Sequence, residues 1–268
     1  IRGIEPALDA YKLCLKDNLD VEKGFFPTVN IKKNQYDIIV FRQVLEHIID
    51  LDTFLSGVKT ALKNTGAIVI EIPDTSFNLE HLDFTLWEEH VNYFTLNTLR
   101  RLLAKHGIEI IHHERTLFSG VALTVFAQKS SQKINVQFSE DDDKKIKLFK
   151  SKLKKFKKEL LKFLSFKKNV AIYGCGARSS NFVNLLGLDM IECFIDDQKE
   201  KQNLFVPGYN IPTKAWDEKF QNFTILLGVG TENEEKVISK RNLNVDKCFS
   251  VLPPSKRLPQ FWRNIINN

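Results

Sequence analysis

Long apolar runs are missing from this sequence: nowhere among its 268 residues do about 18 apolar residues follow one another, which excludes an ordinary membrane-spanning helix. No secretory leader is expected from the opening residues. Ile1-Arg2-Gly3-Ile4-Glu5-Pro6 reads instead as a strand running into a helix, and the lack of an initiator methionine suggests a fragment. Cysteine is scarce and scattered. Cys14, Cys175, Cys193 and Cys248 form no CxxC pair and have no histidine nearby, so no metal site is indicated; buried, reduced thiols in a cytoplasmic protein are expected. Histidine is absent after His113, which leaves the second half without the commonest acid–base side chain. What is present, 43% apolar and 27% charged residues, is enough to bury a core in each of two ordinary soluble domains.

The net charge of +6 is not spread over the chain. Residues 129–168 carry 14 lysines against five acids, a balance of 14 − 5 = +9, so the remainder is 6 − 9 = −3. That concentration argues against a nucleic-acid-binding face distributed over a fold. Within it, Ile146, Phe149, Leu153, Phe156, Leu160 and Phe163 step by three and four, one apolar stripe of a helix over 139–168. Ser139 is placed to cap that helix, with the acids from Glu140 to Asp143 at the positive end of its dipole. The stripe either packs on the domains, leaving the lysines to water, or pairs with a second copy in a homodimer; contact of the lysine face with nucleic acid or a membrane is the third reading.

Before this segment strand and helix alternate. Strands are expected at 1–5, 19–21, 36–41 and 67–72, and helices from Pro6 to about 18, from about Asp52 to Gly66, and over 95–106 between a Thr95 cap and Gly107. The run YDIIVF at 36–41 is apolar enough for a parallel strand covered on both faces. Two last strands, 108–117 and 121–128, pair around Ser119-Gly120. After it, strands at 169–173, 190–195, 223–227 and 247–251 alternate with helices at 180–188 and 232–241. The fold class is α/β: two Rossmann-like open sheets, 1–128 and 169–268, joined by a lysine-rich amphipathic helix in 129–168.

Several residues have the chemistry of a site. Gly174-x-Gly176 follows a strand and opens a helix, and Asp196 lies 20 residues beyond Gly176, the spacing of a nucleotide site in which glycines admit phosphate and the acid holds ribose hydroxyls. Ser179 stands where a third glycine would be. His47 closes Gln43-Val44-Leu45-Glu46-His47 just after a strand, where ligands of open α/β sheets gather. His90 sits in Trp87-Glu88-Glu89-His90-Val91-Asn92-Tyr93-Phe94, a stretch rich in aromatic and acid–base groups and neither helical nor extended in pattern. Glu5 ends a strand, where a carboxylate can accept both hydroxyls of a ribose. His106 reads as a helix cap.

Taken in order, Gly3-Ile4-Glu5-Pro6, Gly24-Phe25-Phe26, YDIIVFRQVLEHI, EEHVNYF and TLRRLL resemble class I S-adenosylmethionine-dependent methyltransferases, and more narrowly the sugar-nucleotide C-methyltransferase family. Tyr173-Gly174-Cys175-Gly176-Ala177 and Phe194-Ile195-Asp196-Asp197, with Pro207-Gly208 downstream, are similar to that family's C-terminal domain. The resemblance implies methyl transfer from S-adenosylmethionine to a sugar nucleotide or saccharide, with C-methylation of a keto-sugar favoured; O-methylation of a surface polysaccharide, or sugar-nucleotide binding without catalysis, are the alternatives. It implies that Glu5 binds the cofactor ribose, Phe25 and Phe26 lie near adenine, and Phe41, Arg42 and Gln43 line the methionine side. Catalytic groups then fall on His90, as proton acceptor, with Glu89 and Tyr93, and Gly174, Gly176 and Asp196 hold substrate. Trp87 stands where the family has tyrosine, and Phe118-Ser119-Gly120-Val121 replaces its His-Gly-Gly-Ser stretch. The family's first strand, its glycine-rich loop and a zinc module would all precede Ile1, so the chain as it stands is expected to be feebly active or inactive.

Overall fold

The structure, a computed structural model, describes residues 1–29, 31–86, 89–137 and 140–268. Along the chain run β1 (Gly3–Glu5), α1 (Leu8–Lys16), β2 (Val21–Lys23), β3 (Tyr36–Arg42), α2 (Leu51–Ala61), β4 (Leu62–Pro73), α3 (Thr75–His81), α4 (Leu96–Lys105), β5 (Ile108–Leu117), β6 (Val121–Lys129), α5 (Asp141–Ser165), β7 (Val170–Tyr173), α6 (Ala177–Leu186), β8 (Cys193–Ile195), β9 (Thr213–Lys214), β10 (Thr224–Leu227), α7 (Glu234–Arg241), β11 (Cys248–Ser250) and α8 (Gln260–Ile266). They fall into two compact units, one of residues 1–72, 91–115 and 123–138, the other of 73–90, 116–122 and 139–268. No described helix is long and apolar enough to cross a membrane.

In the first unit the sheet order is β3-β4-β6-β5, and β1 and β2 form a separate parallel pair. Ile39 and Phe41 of β3 lie beside Ile68 and Ile70 of β4 in parallel register. Helix α2 starts where the Asp50 carboxylate accepts the Thr53 amide at 3.0 Å, and it turns Phe54, Leu55, Val58 and Ala61 into the core. Helix α4 starts as its sequence indicates: Thr95 Oγ1 accepts the Thr98 amide, and Leu99 and Leu103 are buried.

Three local expectations change. Helix α2 ends at Ala61 rather than near Gly66, because residues 62–73 pair with β3. Gly66 serves strand packing instead: a Cβ there would stand 2.8 Å from the Asp37 carbonyl and 2.7 Å from Leu62 Cδ1. Strand β3 is not covered on both faces, since only the side carrying Ile39 and Phe41 meets the core while Ile38 and Val40 are 62% and 56% exposed. Helix α1 begins at Leu8, after Pro6, because the Ala7 amide is taken by the Glu5 carboxylate at 2.8 Å.

The second unit is built on a parallel five-stranded sheet in the order β11-β10-β7-β8-β9. All four residues of β7 and of β10 are buried, as expected of strands covered on both faces. The apolar stripe of α5 packs inside this unit except at its first member, Ile146, which is 41% exposed: Phe156 and Leu160 are buried, and Phe149, Leu153 and Phe163 are packed against the same core. Ser139, the expected cap, lies outside the described residues. Trp262 of α8 is fully buried, its ring 4.4 Å from Phe156 and stacked on Phe182, and its indole N–H donates to the His81 carbonyl at 2.9 Å. Phe84 closes this aromatic cluster against Phe156, Phe182 and Trp262. Cys193 and Cys248 are buried, and burial pushes the Cys248 thiol up to about 11; Cys14 and Cys175 are only partly covered.

One ion pair lies within this core. Arg178, in the first turn of α6, donates to both oxygens of Asp83, at 3.2 and 2.6 Å, and to the Pro253 carbonyl at 2.8 Å. The Asp83 side chain has no exposed surface and that of Arg178 is 9% exposed. Removing one partner strands the other charge out of water, which costs about 3–5 kcal/mol. We therefore expect Asp83→Ala to lower the second unit's stability to denaturant by about that much. The double change Asp83→Leu with Arg178→Met should lose much less than the two single losses summed, by comparison of chemical denaturation midpoints. Additive losses would show that the pair is not a unit.

Candidate active site

The carboxyl end of β3 is the most polar place in the first unit's interior. Arg42 ends the strand and its Nε and Nη2 both donate to Glu71 Oε1, at 3.0 and 2.9 Å. Glu71, on the neighbouring β4, is buried, and its second oxygen accepts from Thr124 at 3.4 Å. Gln43 then takes a left-handed backbone, φ 52°, while its amide donates to the Glu71 carbonyl at 2.8 Å. That reversal ends the ladder and starts the tight turn Leu45–His47, which fully buried Leu45 anchors in the core.

Among the described residues, two polar groups here lack a hydrogen-bond partner. Gln43 Nε2 and both carboxyl oxygens of Glu46 are buried without a hydrogen bond. Burial pushes the Glu46 carboxyl above the ordinary glutamate range; its own amide and the charge of His47 offset part of that, and Glu71 adds to the rise. The Glu46 carbonyl accepts the amides of Val91 and Asn92, each at 3.0 Å, and the Asn92 side chain donates to the Ile48 carbonyl at 2.7 Å. The residues just after His90 are thereby stapled to the turn after β3. His90 itself is 8% exposed, while Glu89 and Tyr93 are exposed. Trp87 and Glu88 lie outside the described residues.

Glu5 stands at the carboxyl end of β1, partly exposed, with Oε1 holding the Ala7 amide. The Gly24 amide reaches the Glu5 carbonyl at 3.3 Å, which brings the Phe25-Phe26 loop beside it. The two rings differ in environment: Phe25 is 68% exposed, whereas Phe26 packs edge-on against Phe54, as does Phe41 from the other direction. His106 acts as a cap, its Nε2 2.9 Å from Asp52. A groove of about 940 Å³ in this unit, lined among others by Lys59, Arg101, Lys105, His106 and Lys133, contains none of the residues expected to be catalytic or to hold cofactor or substrate.

In the second unit Gly174, Gly176 and Asp196 do come together. Gly174 has φ 100° and passes so close to the loop after β10 that a Cβ would lie 2.9 Å from the Gly228 carbonyl. Asp196 Oδ2 accepts the Cys175 amide at 2.8 Å, and Oδ1 accepts the Gln198 amide at 2.9 Å. Lys201 donates to the Cys175 carbonyl at 2.9 Å, and Ser179 Oγ to the Gly174 carbonyl at 2.7 Å. The turn is thus braced from within, while nothing lies within 4 Å of where a Gly176 Cβ would be. Beside it, burial would raise the Asp197 carboxyl, but hydrogen bonds from Lys240, Tyr173 and Arg241 prevail and hold it down to about 2.

Sequence reasoning passed over Glu46 and the Asp83–Arg178 pair. Glu46 did leave a signal, an acid directly after the apolar pair Val44-Leu45 at a strand end; Asp83 left none, because only the fold sets it opposite Arg178.

Comparisons with known proteins find likenesses over parts of the chain. Residues 3–113 match the family model of a methyltransferase domain, and residues 127–227 match that of the C-methyltransferase C-terminal domain. C-methyltransferase NovU of Streptomyces niveus is 31% identical over 91 residues, 34% of this chain and 22% of that protein, so the chain spans about a fifth of this curated relative. Among solved structures, a SAM-dependent methyltransferase from Methanosarcina mazei gives a TM-score of 0.42 at 15% identity, over 49% of this chain and 82% of that one. One from Archaeoglobus fulgidus gives 0.38 at 17% identity, over 48% and 75%. The chain carries a methyltransferase domain of the S-adenosylmethionine-dependent class. Residues 127–227, further along the same chain, are similar to the C-terminal domain of C-methyltransferases.

The site's residues suit that cofactor. A partly exposed strand-end carboxylate, an exposed aromatic ring beside it, and a buried amide donor without a partner are what a ribose diol, a purine and a carboxylate require. An unpartnered buried polar group costs about 1–3 kcal/mol in the unliganded protein. Because Glu46 binds a proton more readily folded than unfolded, its contribution to stability falls as pH rises through and above the ordinary glutamate range. Glu46→Gln is expected to flatten that decline in the unliganded protein and to raise stability at neutral pH, measured by denaturant unfolding across pH. A pH profile identical to the parent's would show that Glu46 does not titrate unusually.

Proposed function

We propose that this chain is the catalytic and substrate-holding part of an S-adenosylmethionine-dependent C-methyltransferase acting on a keto-sugar carried by a nucleotide. The observation that supports it most is the order of the two domains on one chain, together with unpartnered polar groups at the carboxyl end of β3. Glu5 is suited to the ribose hydroxyls and Phe25 to the adenine face. Arg42 and Gln43 are suited to the methionine portion, with Phe26 and Phe41 shaping the wall behind through their contacts with Phe54. When bound, S-adenosylmethionine supplies an electrophilic methyl group on a sulfonium centre.

The chain's own residues must then make the acceptor carbon nucleophilic. Next to a ketone, a C–H proton is acidic enough for an imidazole to remove, and the pKa of histidine keeps a fraction neutral near pH 7. His90 is the base in this reading; burial excludes water from its ring. Glu89 orients the base or binds the sugar, and Tyr93 donates a hydrogen bond to a sugar oxygen. The open backbone at Gly176, on the turn that Gly174 and Asp196 shape, is suited to approach by the nucleotide or sugar portion.

The test is methyl transfer to a nucleotide-linked keto-sugar by the protein at its natural full length, with the methylated atom assigned by NMR. His90→Ala should reduce kcat by about 10²–10⁴-fold with cofactor affinity unchanged. Glu5→Gln should weaken cofactor binding by roughly tenfold or more, measured by calorimetry, and leave kcat at saturation near the parent's value. Unchanged turnover in the His90 variant would remove it from the mechanism, and methylation at oxygen would overturn the C-methyl assignment.

A further inference from the structure

The buried stripe of α5 is accounted for by the second unit's core, but its other face is not. Lys144, Lys147, Lys150, Lys154, Lys155, Lys157, Lys158 and Lys162 are all exposed, and none has an ion pair among the described residues. At about 100° per residue they fall within roughly 160° of arc, opposite Phe156 and Leu160. From Lys144 to Lys162 is 18 steps of about 1.5 Å, a straight ridge of about 27 Å.

A merely solvated helix face mixes signs, because like charges three or four residues apart oppose the helix. Here Lys150, Lys154, Lys158 and Lys162 follow at intervals of four, and Asp143 at one end is the single acid within the arc. The fold holds the ridge rigidly all the same. Phe156 and Phe163 are clamped by Trp262, Phe261 and Phe249, and Lys145 is tied to Glu80 and Asp141. Along the ridge's border, 18 residues apart and so on one line of the helix, Leu148 and Phe166 are 49% and 77% exposed.

We propose that this face of α5 docks on an anionic phospholipid bilayer, the lysines meeting headgroup phosphates and Leu148 and Phe166 entering the interface. A planar negative surface satisfies a straight row of cations together, and clusters of four to eight lysines on a helix are sufficient to hold a protein at such a surface. The two apolar side chains favour a bilayer over a nucleic acid, since an interface accepts them and a phosphate backbone does not. The inference is independent of the methyl-transfer reading.

It is tested by co-sedimentation of the whole chain with vesicles, either phosphatidylcholine alone or equal parts phosphatidylcholine and phosphatidylglycerol. Binding to the anionic vesicles only, lost as salt is raised, is expected. Neutralising Lys147, Lys150, Lys154 and Lys158 to Gln should weaken it by roughly a hundredfold or more, whereas the same four changed to Arg should retain it. Leu148→Ala with Phe166→Ala should weaken it several-fold with the far-UV spectrum unchanged. No sedimentation with anionic vesicles, or equal sedimentation with neutral ones, would overturn the proposal. So would tighter binding of duplex RNA in the same buffer that is insensitive to the Leu148 and Phe166 changes.

Discussion

Asp83 has no contact with water, and its charge persists only because Arg178 faces it with two donors and a fixed geometry. Burial pushes the Asp83 carboxyl up while Arg178 pulls it down, so the pair stands or falls together. The same guanidinium holds the Pro253 carbonyl, and Gly120 leaves room for it: a Cβ at that position would stand 3.2 Å from the guanidinium carbon. One side chain therefore ties together the segment after α3, the tip between β5 and β6, the start of α6 and the turn before α8. Around it the rings of Phe84, Phe156, Phe182 and Trp262 exclude water, which strengthens the pair and makes its loss costlier. Residues 73–90, the stretch that ends in His90, belong to the unit this pair organises.

The turn after β3 follows the opposite logic. There the interior holds an amide donor and a carboxyl group without partners, and the protein tolerates the cost. Structural polar groups are normally satisfied, as Glu71 is by Arg42 and Thr124 one strand away. Two glutamates in one unit thus differ: Glu71 accepts hydrogen bonds at both oxygens, and Glu46 is buried with no hydrogen bond to its side chain among the described residues.

Much of the framework was legible in the residues. The Thr95 cap, the spacing of the α5 stripe and the short apolar runs of β7 and β10 are local signals, and each element formed where its signal lay. Tertiary terms changed the rest. Gly66 resembled a helix stop until the pairing of β4 with β3 required a residue without a side chain beside the Asp37 carbonyl. Ile38 and Val40 read as core because periodicity reports apolarity and not which face is covered. Glu5 was marked by its position at a strand end, and Arg42 and Gln43 by the family resemblance, whereas Glu46 stood out only once its burial without a hydrogen-bond partner was seen.

The glycine turn after β7 shows why motif spacing underdetermines chemistry. In a parallel pair such as β7 and β8, the residue after the second strand lies beside the loop after the first, whatever either one does. An acid placed there can reach a ribose lying over the loop, or it can reach the loop's own amides. Asp196 does the latter, closing on the Cys175 amide, while Ser179 fills the place of the third glycine and returns a hydrogen bond to Gly174. Gly174 itself is needed for a positive φ and for close approach to Gly228, both internal demands. What the turn offers outward is confined to Gly176, where the backbone is open on one side. A ligand would therefore meet a rigid surface already satisfied from beneath, and its specificity would come from contacts made above that surface instead of from the acid that the spacing singles out.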